Sequence, residues 1–152
     1  EITTRLVGSE MCIRDSSMTA REANDKGYRI GNHSFEEDGY EVTYPDGYKS
    51  WSPAKEFEKA YYKLEDPTGD TLKENDIKRF IKGIENVKVG TQTTNTTLTC
   101  LTGFEVHGQA ACVKPENFDL NVGSNYARIK AEDKIWKGLG FVLQWAKYGL
   151  KK

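Results

Sequence analysis

The chain has 152 residues, 22 of them basic and 23 acidic, and a formal net charge of −1. That length fits one domain or two very small modules, and 30% charged against 37% apolar residues describes much surface per unit of core. No apolar run approaches the ~18 residues of a membrane span, and the first residues are polar without an apolar h-region, so the expectation is a cytoplasmic protein with no membrane partner.

Residues 5–16 read RLVGSEMCIRDS. The string resembles the translation of a transposon-end adapter from DNA sequencing libraries. The resemblance implies that residues 1–17 are a non-native tail and that the natural chain starts at or near Met18; the alternative is a real disordered tail. Without residues 1–17, two cysteines remain, Cys100 and Cys112, and the charges balance at twenty of each sign. The balance hides an asymmetry. Residues 36–76 carry twelve acidic and five basic side chains, whereas residues 128–152 carry seven basic and two acidic. Such asymmetry can mark a polyanion-binding surface, or two regions that attract each other.

Residues 19–26 predict one or two helical turns, with Thr19 as N-cap, Glu22 at capping-box spacing and Gly27 as the stop. Residues 28–35 are a weak strand candidate. Residues 40–44 alternate, Pro45-Asp46-Gly47 turns, and residues 48–51 continue, which predicts a hairpin with Tyr40, Val42 and Tyr44 on one face. Ser52 and Pro53 read as N-cap and first helical position of a short helix bearing Phe57, Ala60, Tyr61 and Leu64. The first module therefore spans 18–65.

Residues 66–71 form the linker, and 72–152 the second module. Thr71 and Glu74 have capping-box spacing for a helix that reaches about Gly83, with Ile77, Phe80, Ile81 and Ile84 apolar. Val87 and Val89 are candidates for the start of a strand. Residues 96–102 are rich in β-branched types, Thr102-Gly103 turns, and 104–113 return, with Gly108 as a bulge or a close backbone approach. After Pro115, Asn117 or Asp119 caps a long amphipathic helix. Its expected apolar stripe is Val122, Tyr126, Ile129, Trp136, Leu139 and Leu143, with Ile135, Val142 and Ala146 beside it; Gly123 and Ala127 make a small face that a strand or another helix can approach, and Gly138 and Gly140 predict a bend or break that leaves residues 139–148 as a last turn or short second helix. The fold class is thus α+β in two small modules: β-hairpin plus helix, then helix, β-hairpin and long helix.

This last part resembles a family of small tailed-phage proteins named after a gene product forty-nine and a gene sixty-six of two enterobacterial phages. The resemblance is carried by Leu98-Thr99, Gly103-Phe104, Gly108, Ala111-Cys112-Val113, Pro115, Asn117-Phe118-Asp119, Gly123, Ala127, Trp136, Gly140-Phe141 and Leu143. Thr96 stands where the family pattern has a cysteine, Cys100 replaces a leucine, and Thr102 replaces the turn asparagine. Residues 39–65 also resemble a segment of small phage proteins. The resemblance implies a phage protein and carries no chemistry.

The residues themselves do not point to an enzyme. A zinc site needs about four N or S ligands, and Cys100, Cys112 and His107 lack the spacing; no metal and no cofactor are expected. Cys100 and Cys112 read as core residues, and the adjacent carboxylates as solvated surface. The expectation is a non-enzymatic phage accessory protein in the bacterial cytoplasm that binds a host or phage protein, or a second copy of itself. The alternative is nucleotide or nucleic-acid binding through the basic and aromatic face of the long helix. The candidate partner-binding residues are Asn117, Phe118, Asp119, Tyr126, Arg128, Lys134 and Trp136.

Overall fold

A computed structural model describes residues 2–5, 12–44 and 46–151. The architecture is α+β, and the chain divides into two compact units: residues 1–72 together with 141–152, and residues 73–140.

The first unit is built on a five-stranded antiparallel sheet in the order β4-β3-β2-β1-β5. Its strands are β1 (Ile2–Arg5), β2 (Cys12–Thr19), β3 (Asp38–Thr43), β4 (Lys49–Pro53) and β5 (Tyr61–Tyr62). The stretch read as a library-derived tail thus supplies β1 and most of β2; residues 6–11 lie outside the described residues. Backbone pairing asks only for an extended segment with free N–H and C=O groups. Among the residues whose side chains are described, Met18 is buried with Ala20, Ala23 and Trp51. The Trp51 indole N–H donates to the Met18 carbonyl at 3.3 Å.

Helix α1 (Ala20–Asp25) has the expected capping box: Thr19 accepts from the Glu22 N–H, the Glu22 carboxylate accepts from Thr19 N–H, and Gly27 ends the helix at φ +83°. Residues 28–35 form no strand. Tyr28 and Ile30 pack on the Trp51 cluster, which mimics a strand period, but Gly31 at φ +59° and a Glu37 N–H to Ser34 carbonyl bond turn the backbone into a loop. The β3–β4 hairpin has the expected form, with Gly47 at φ +84°; Pro45 lies outside the described residues. Its register sets Val42 opposite Ser50 and Glu41 opposite Trp51, so Trp51 shares a face with Glu41. Val42 and Phe57 form a second small core, with Tyr40, Tyr44 and Tyr61 against it.

Ser52 and Pro53 remain in the ladder, opposite Tyr40 and Gly39, and the helix α2 (Ala54–Ala60) starts one residue later than expected, with no side-chain cap. It also ends sooner: Tyr61 and Tyr62 leave the helix to pair with β1. Asp66 organises residues 66–71. Its carboxylate accepts from the N–H groups of Thr68, Asp70 and Thr71 and from the Thr68 hydroxyl, and these bonds hold its pKa down at about 2.

The second unit opens with α3 (Glu74–Phe80). Asp76, not Glu74, performs the reciprocal capping, accepting from Lys73 N–H at 2.9 Å while it pairs with Arg79 at 2.6 Å. The helix stops at Phe80. Ile81 and Ile84, expected on its apolar face, belong to β6 (Ile81–Val89), where they stand opposite Cys100 and Leu98 of β7 (Thr93–Cys100). Four β-branched residues, Ile81, Ile84, Val87 and Val89, favour the ladder over another helical turn. Strand β8 (Glu105–Ala111) completes the sheet in the order β6-β7-β8, with Gly103 in the turn at φ +84°.

Strand β7 alternates strictly, and Thr94, Thr96, Leu98 and Cys100 are buried. The cover is the long helix α4 (Leu120–Tyr148). Gly108 is the expected close approach rather than a bulge. It pairs regularly with Thr96, and a Cβ there would lie 1.9 Å from the Ala127 carbonyl oxygen. The buried face of α4 is Ala127, Ala131, Ile135, Leu139 and Leu143, at four-residue spacing. The expected stripe is corrected at its N-terminal half, where Val122, Tyr126 and Ile129 are exposed; Leu139 and Leu143 are buried, and Gly123 and Ala127 form the small face that the strand approaches. The helix assignment is unbroken through Gly138 and Gly140, so Leu139–Tyr148 is not a separate second helix.

Candidate functional site

The corner after β8 carries the site. Residues Pro115–Asn117 form a single 3-10 turn, and Asp119 then caps α4. One Asp119 carboxylate oxygen accepts from Asn121 N–H at 2.8 Å and from Val122 N–H at 3.1 Å, which places a negative group at the positive end of the helix. Gly123 follows in the first turn and lets α4 settle onto Thr94. A Cβ on Gly123 would lie 2.2 Å from the Thr94 hydroxyl oxygen.

The result is a cavity of about 260 Å³ between the corner, the first turns of α4 and the ends of β7 and β8. Four sequence-predicted residues line it together: Asn117, Phe118, Asp119 and Tyr126. The other three do not. Arg128 pairs with Glu132 at 2.6 Å, one turn along the helix. Lys134 donates to the His107 carbonyl at 2.5 Å, and Trp136 lies half-buried farther along α4. Residues not foreseen complete the lining, among them Gln92, Thr94, Cys112 and Val122. Threonines stand at 93, 94, 96, 97 and 99, on both faces of that strand, so the sequence holds no local signal that singles out Thr94.

Thr94 is the unusual member. It is 1% exposed, and its hydroxyl oxygen has no hydrogen-bond partner among the described residues. The neighbouring Thr96 is equally buried, but its hydroxyl donates to the Asn86 side-chain oxygen at 2.6 Å. Phe118 is held from outside the cavity lining by Lys88, whose ammonium sits 4.2 Å from the ring centroid.

The cysteines stand apart. Cys112 N–H pairs with Gln92 at one end of the β7–β8 hairpin, and Cys100 N–H pairs with Phe104 at the other. At ~3.4 Å per residue the strand separates them by roughly 27 Å, far outside disulfide reach. Cys100 is buried, which pushes its thiol pKa up. The Cys112 thiol donates to the Lys114 carbonyl at 3.1 Å. His107 is on the open sheet face, with its Nδ1 2.9 Å from the Thr97 hydroxyl. No group of three or more His, Cys, Asp or Glu side chains among the described residues is placed to hold a metal. No helix among them is long and apolar enough to cross a membrane.

A second concavity, of about 480 Å³ and within the first unit, is lined by Glu22, Asp38 and Glu58 with Ser17, Met18 and Tyr40. Glu22 is engaged in its capping box and Glu58 accepts from the Tyr40 hydroxyl at 2.8 Å.

The model of the phage protein (N4 Gp49/phage Sf6 gene 66) family matches residues 71–146, half of the chain. The chain belongs to this family. The match contains the whole corner cavity and all seven candidate residues. The family description states a phage origin and no activity. No curated protein and no solved structure matches the chain.

Proposed function

We propose that this phage-family protein works by binding and not by catalysis, holding a host or phage protein against the first half of α4 in the bacterial cytoplasm. One observation carries the reading. Val122, Tyr126 and Ile129 lie at i, i+4 and i+7 on one helix face and are 54%, 63% and 63% exposed. A helix that buries its alanines and shows its large apolar side chains has the pattern of an interaction face. Val122 and Tyr126 also belong to the cavity lining, so groove and stripe form one continuous surface. A second copy of the chain is the other candidate occupant.

The polar chemistry supports binding over catalysis. The Cys100 thiol is buried, which raises its pKa, and the Cys112 thiol donates to the Gln92 and Lys114 carbonyls. Arg128 and Lys134 are engaged by Glu132 and by the His107 carbonyl, which favours a protein partner over a phosphate backbone.

The test is capture from phage-infected cells with the unmodified protein and with Ile129→Asp. A partner held by the former and lost from the latter, at unchanged melting temperature, is the expected outcome. Light scattering on both proteins separates self-association from a foreign partner. Equal capture by the two would remove the stripe from consideration.

A further inference from the structure

We propose that β6 is a docking edge for β6 of a second copy of this chain. The two strands pair antiparallel about a two-fold axis at Asn86 and join two three-stranded sheets into one continuous sheet. This does not depend on the stripe on α4.

The two edges of the β6-β7-β8 sheet differ. Bonding alternates along a strand, and Cys100 N–H to the Phe104 carbonyl and Cys112 N–H to the Gln92 carbonyl show that the even residues of β7 bond to β8. Its odd residues therefore bond to β6, through Gly83, Glu85, Val87 and Val89. The N–H and C=O groups of Ile84, Asn86 and Lys88 point away from the sheet and have no backbone partner among the described residues. On β8 the outward carbonyls of His107 and Gln109 are taken by Lys134 and Lys130. Helix α4 packs on Thr94 of β7 and Gly108 of β8, and its lysines reach past β8, so it leaves the β6 edge clear. Ile84, Val87 and Val89 on that edge are 47%, 40% and 48% exposed. An unbroken edge with exposed β-branched side chains is what solitary proteins avoid.

Geometry and charge select the occupant. The regular ladder of β6 runs from Gly83 to Val89, between the irregularity at Ile81/Gly83 and the turn that begins at Gly90. Its midpoint is Asn86. In a two-fold antiparallel pair of identical strands, one residue must face its own copy. With Asn86 at the axis, Ile84 faces Lys88 of the second copy, Glu85 faces Val87, and Gly83 faces Val89. The outward N–H and C=O groups of Ile84, Asn86 and Lys88 then all pair, no like charges stand opposite each other, and the Lys88 stem lies along Ile84. Centring on Glu85 sets Glu85 against itself and Lys82 against Lys88. Centring on Val87 sets Ile84 against Gly90, which has already turned away at φ +65°. Centring on Ile84 runs the pairing across the irregularity. The strand thus fits itself in one register. One pair of strands is a small interface, so the dimer forms at high concentration and dissociates on dilution.

The experiment is sedimentation velocity of the full chain over a dilution series, with amide hydrogen exchange read by NMR at both ends of it. A concentration-dependent dimer is expected, in which the amides of Ile84, Asn86 and Lys88 exchange more slowly as it forms. Val87→Glu sets a second carboxylate opposite Glu85 at both symmetric places and should weaken the dimer about tenfold. Val87→Lys, at the same exposed position, should hold or tighten it. Adding Glu85→Lys to Val87→Glu should restore it. Ile129→Asp should leave it unchanged, which separates this edge from self-association through α4. The proposal falls if the chain stays monomeric at every concentration, whether or not it captures a foreign protein. It also falls if Val87→Glu and Val87→Lys act alike, or if Ile129→Asp abolishes the dimer.

Discussion

At the scale of single residues, three glycines of the second unit behave oppositely, and the space around each explains why. Gly108 has the Ala127 carbonyl oxygen and the Ala131 nitrogen within 1.9 and 2.6 Å of where a Cβ would sit. Gly123 has the Thr94 side chain at 2.2 Å. Gly138 has nothing within 4 Å and lies in the middle of a regular helix. Overpacking a filled site costs about 1–3 kcal/mol, and backbone atoms cannot rotate aside as a side-chain tip can. Gly108→Ala is therefore expected at or above the upper end of that range, and Gly123→Ala within it. Gly138→Ala should instead stabilise by up to ~1 kcal/mol, since alanine restricts the unfolded chain and suits the helix. Urea midpoints of the three variants test the set. A neutral Gly108→Ala would mean that α4 does not sit on β8 as described.

At the scale of elements, β8 is an edge strand, and its protection comes from α4. Lys130 donates to the Gln109 carbonyl at 2.8 Å and Lys134 to the His107 carbonyl at 2.5 Å. These two carbonyls belong to alternate residues on the open side of the sheet, where another strand would otherwise pair. Both ammonium groups remain exposed, so each bond contributes little, of the order of 0–1 kcal/mol. Their larger effect is to block the edge. The double variant Lys130→Ala, Lys134→Ala should lose little stability yet self-associate at concentrations where the unmodified protein does not. Size-exclusion chromatography shows the difference, and an unchanged profile would mean that the edge is covered in another way. Elements whose signals are local were readable from the sequence: the Thr19–Glu22 capping box, the turns at Gly47 and Gly103, and the glycine at 108 that admits a helix. Elements that depend on distant partners were not. Ile81 and Ile84 continue a helical period and become strand only because β7 is there to pair with them. The inward face of α4 was legible in part: Gly123 and Ala127 marked a small face that a strand can approach, but only the strand backbone itself selects that face over Val122, Tyr126 and Ile129 for burial. The corner residues 117–119 and Tyr126 were legible as a group, whereas Gln92 and Thr94 join them through strand pairing alone.

At the scale of the whole molecule, the charge asymmetry bears on what the protein can bind. Residues 128–152 carry seven basic side chains, and a surface of that composition would ordinarily favour polyanions. Most of these charges are engaged. Arg128 pairs with Glu132, Lys137 with Asp133, and Lys147 with Asp70, while Lys130 and Lys134 bond to strand carbonyls. The pairing of Lys147 with Asp70 joins the basic end of the chain to the acidic stretch within the first unit. Each pair reduces the number of cations free to replace counterions along a phosphate backbone, and the salt dependence of binding scales with that number. The expected behaviour is weak retention on heparin, with elution at low salt and a shallow dependence of any nucleic-acid binding on ionic strength. Glu132→Gln with Asp133→Asn frees Arg128 and Lys137 and raises the net charge by two. That double variant should be retained to higher salt than the parent, and the gain measures how far ion pairing along α4 suppresses polyanion binding. Strong retention of the unmodified protein, with no gain in the variant, would return the basic face of α4 to the front as a nucleic-acid surface.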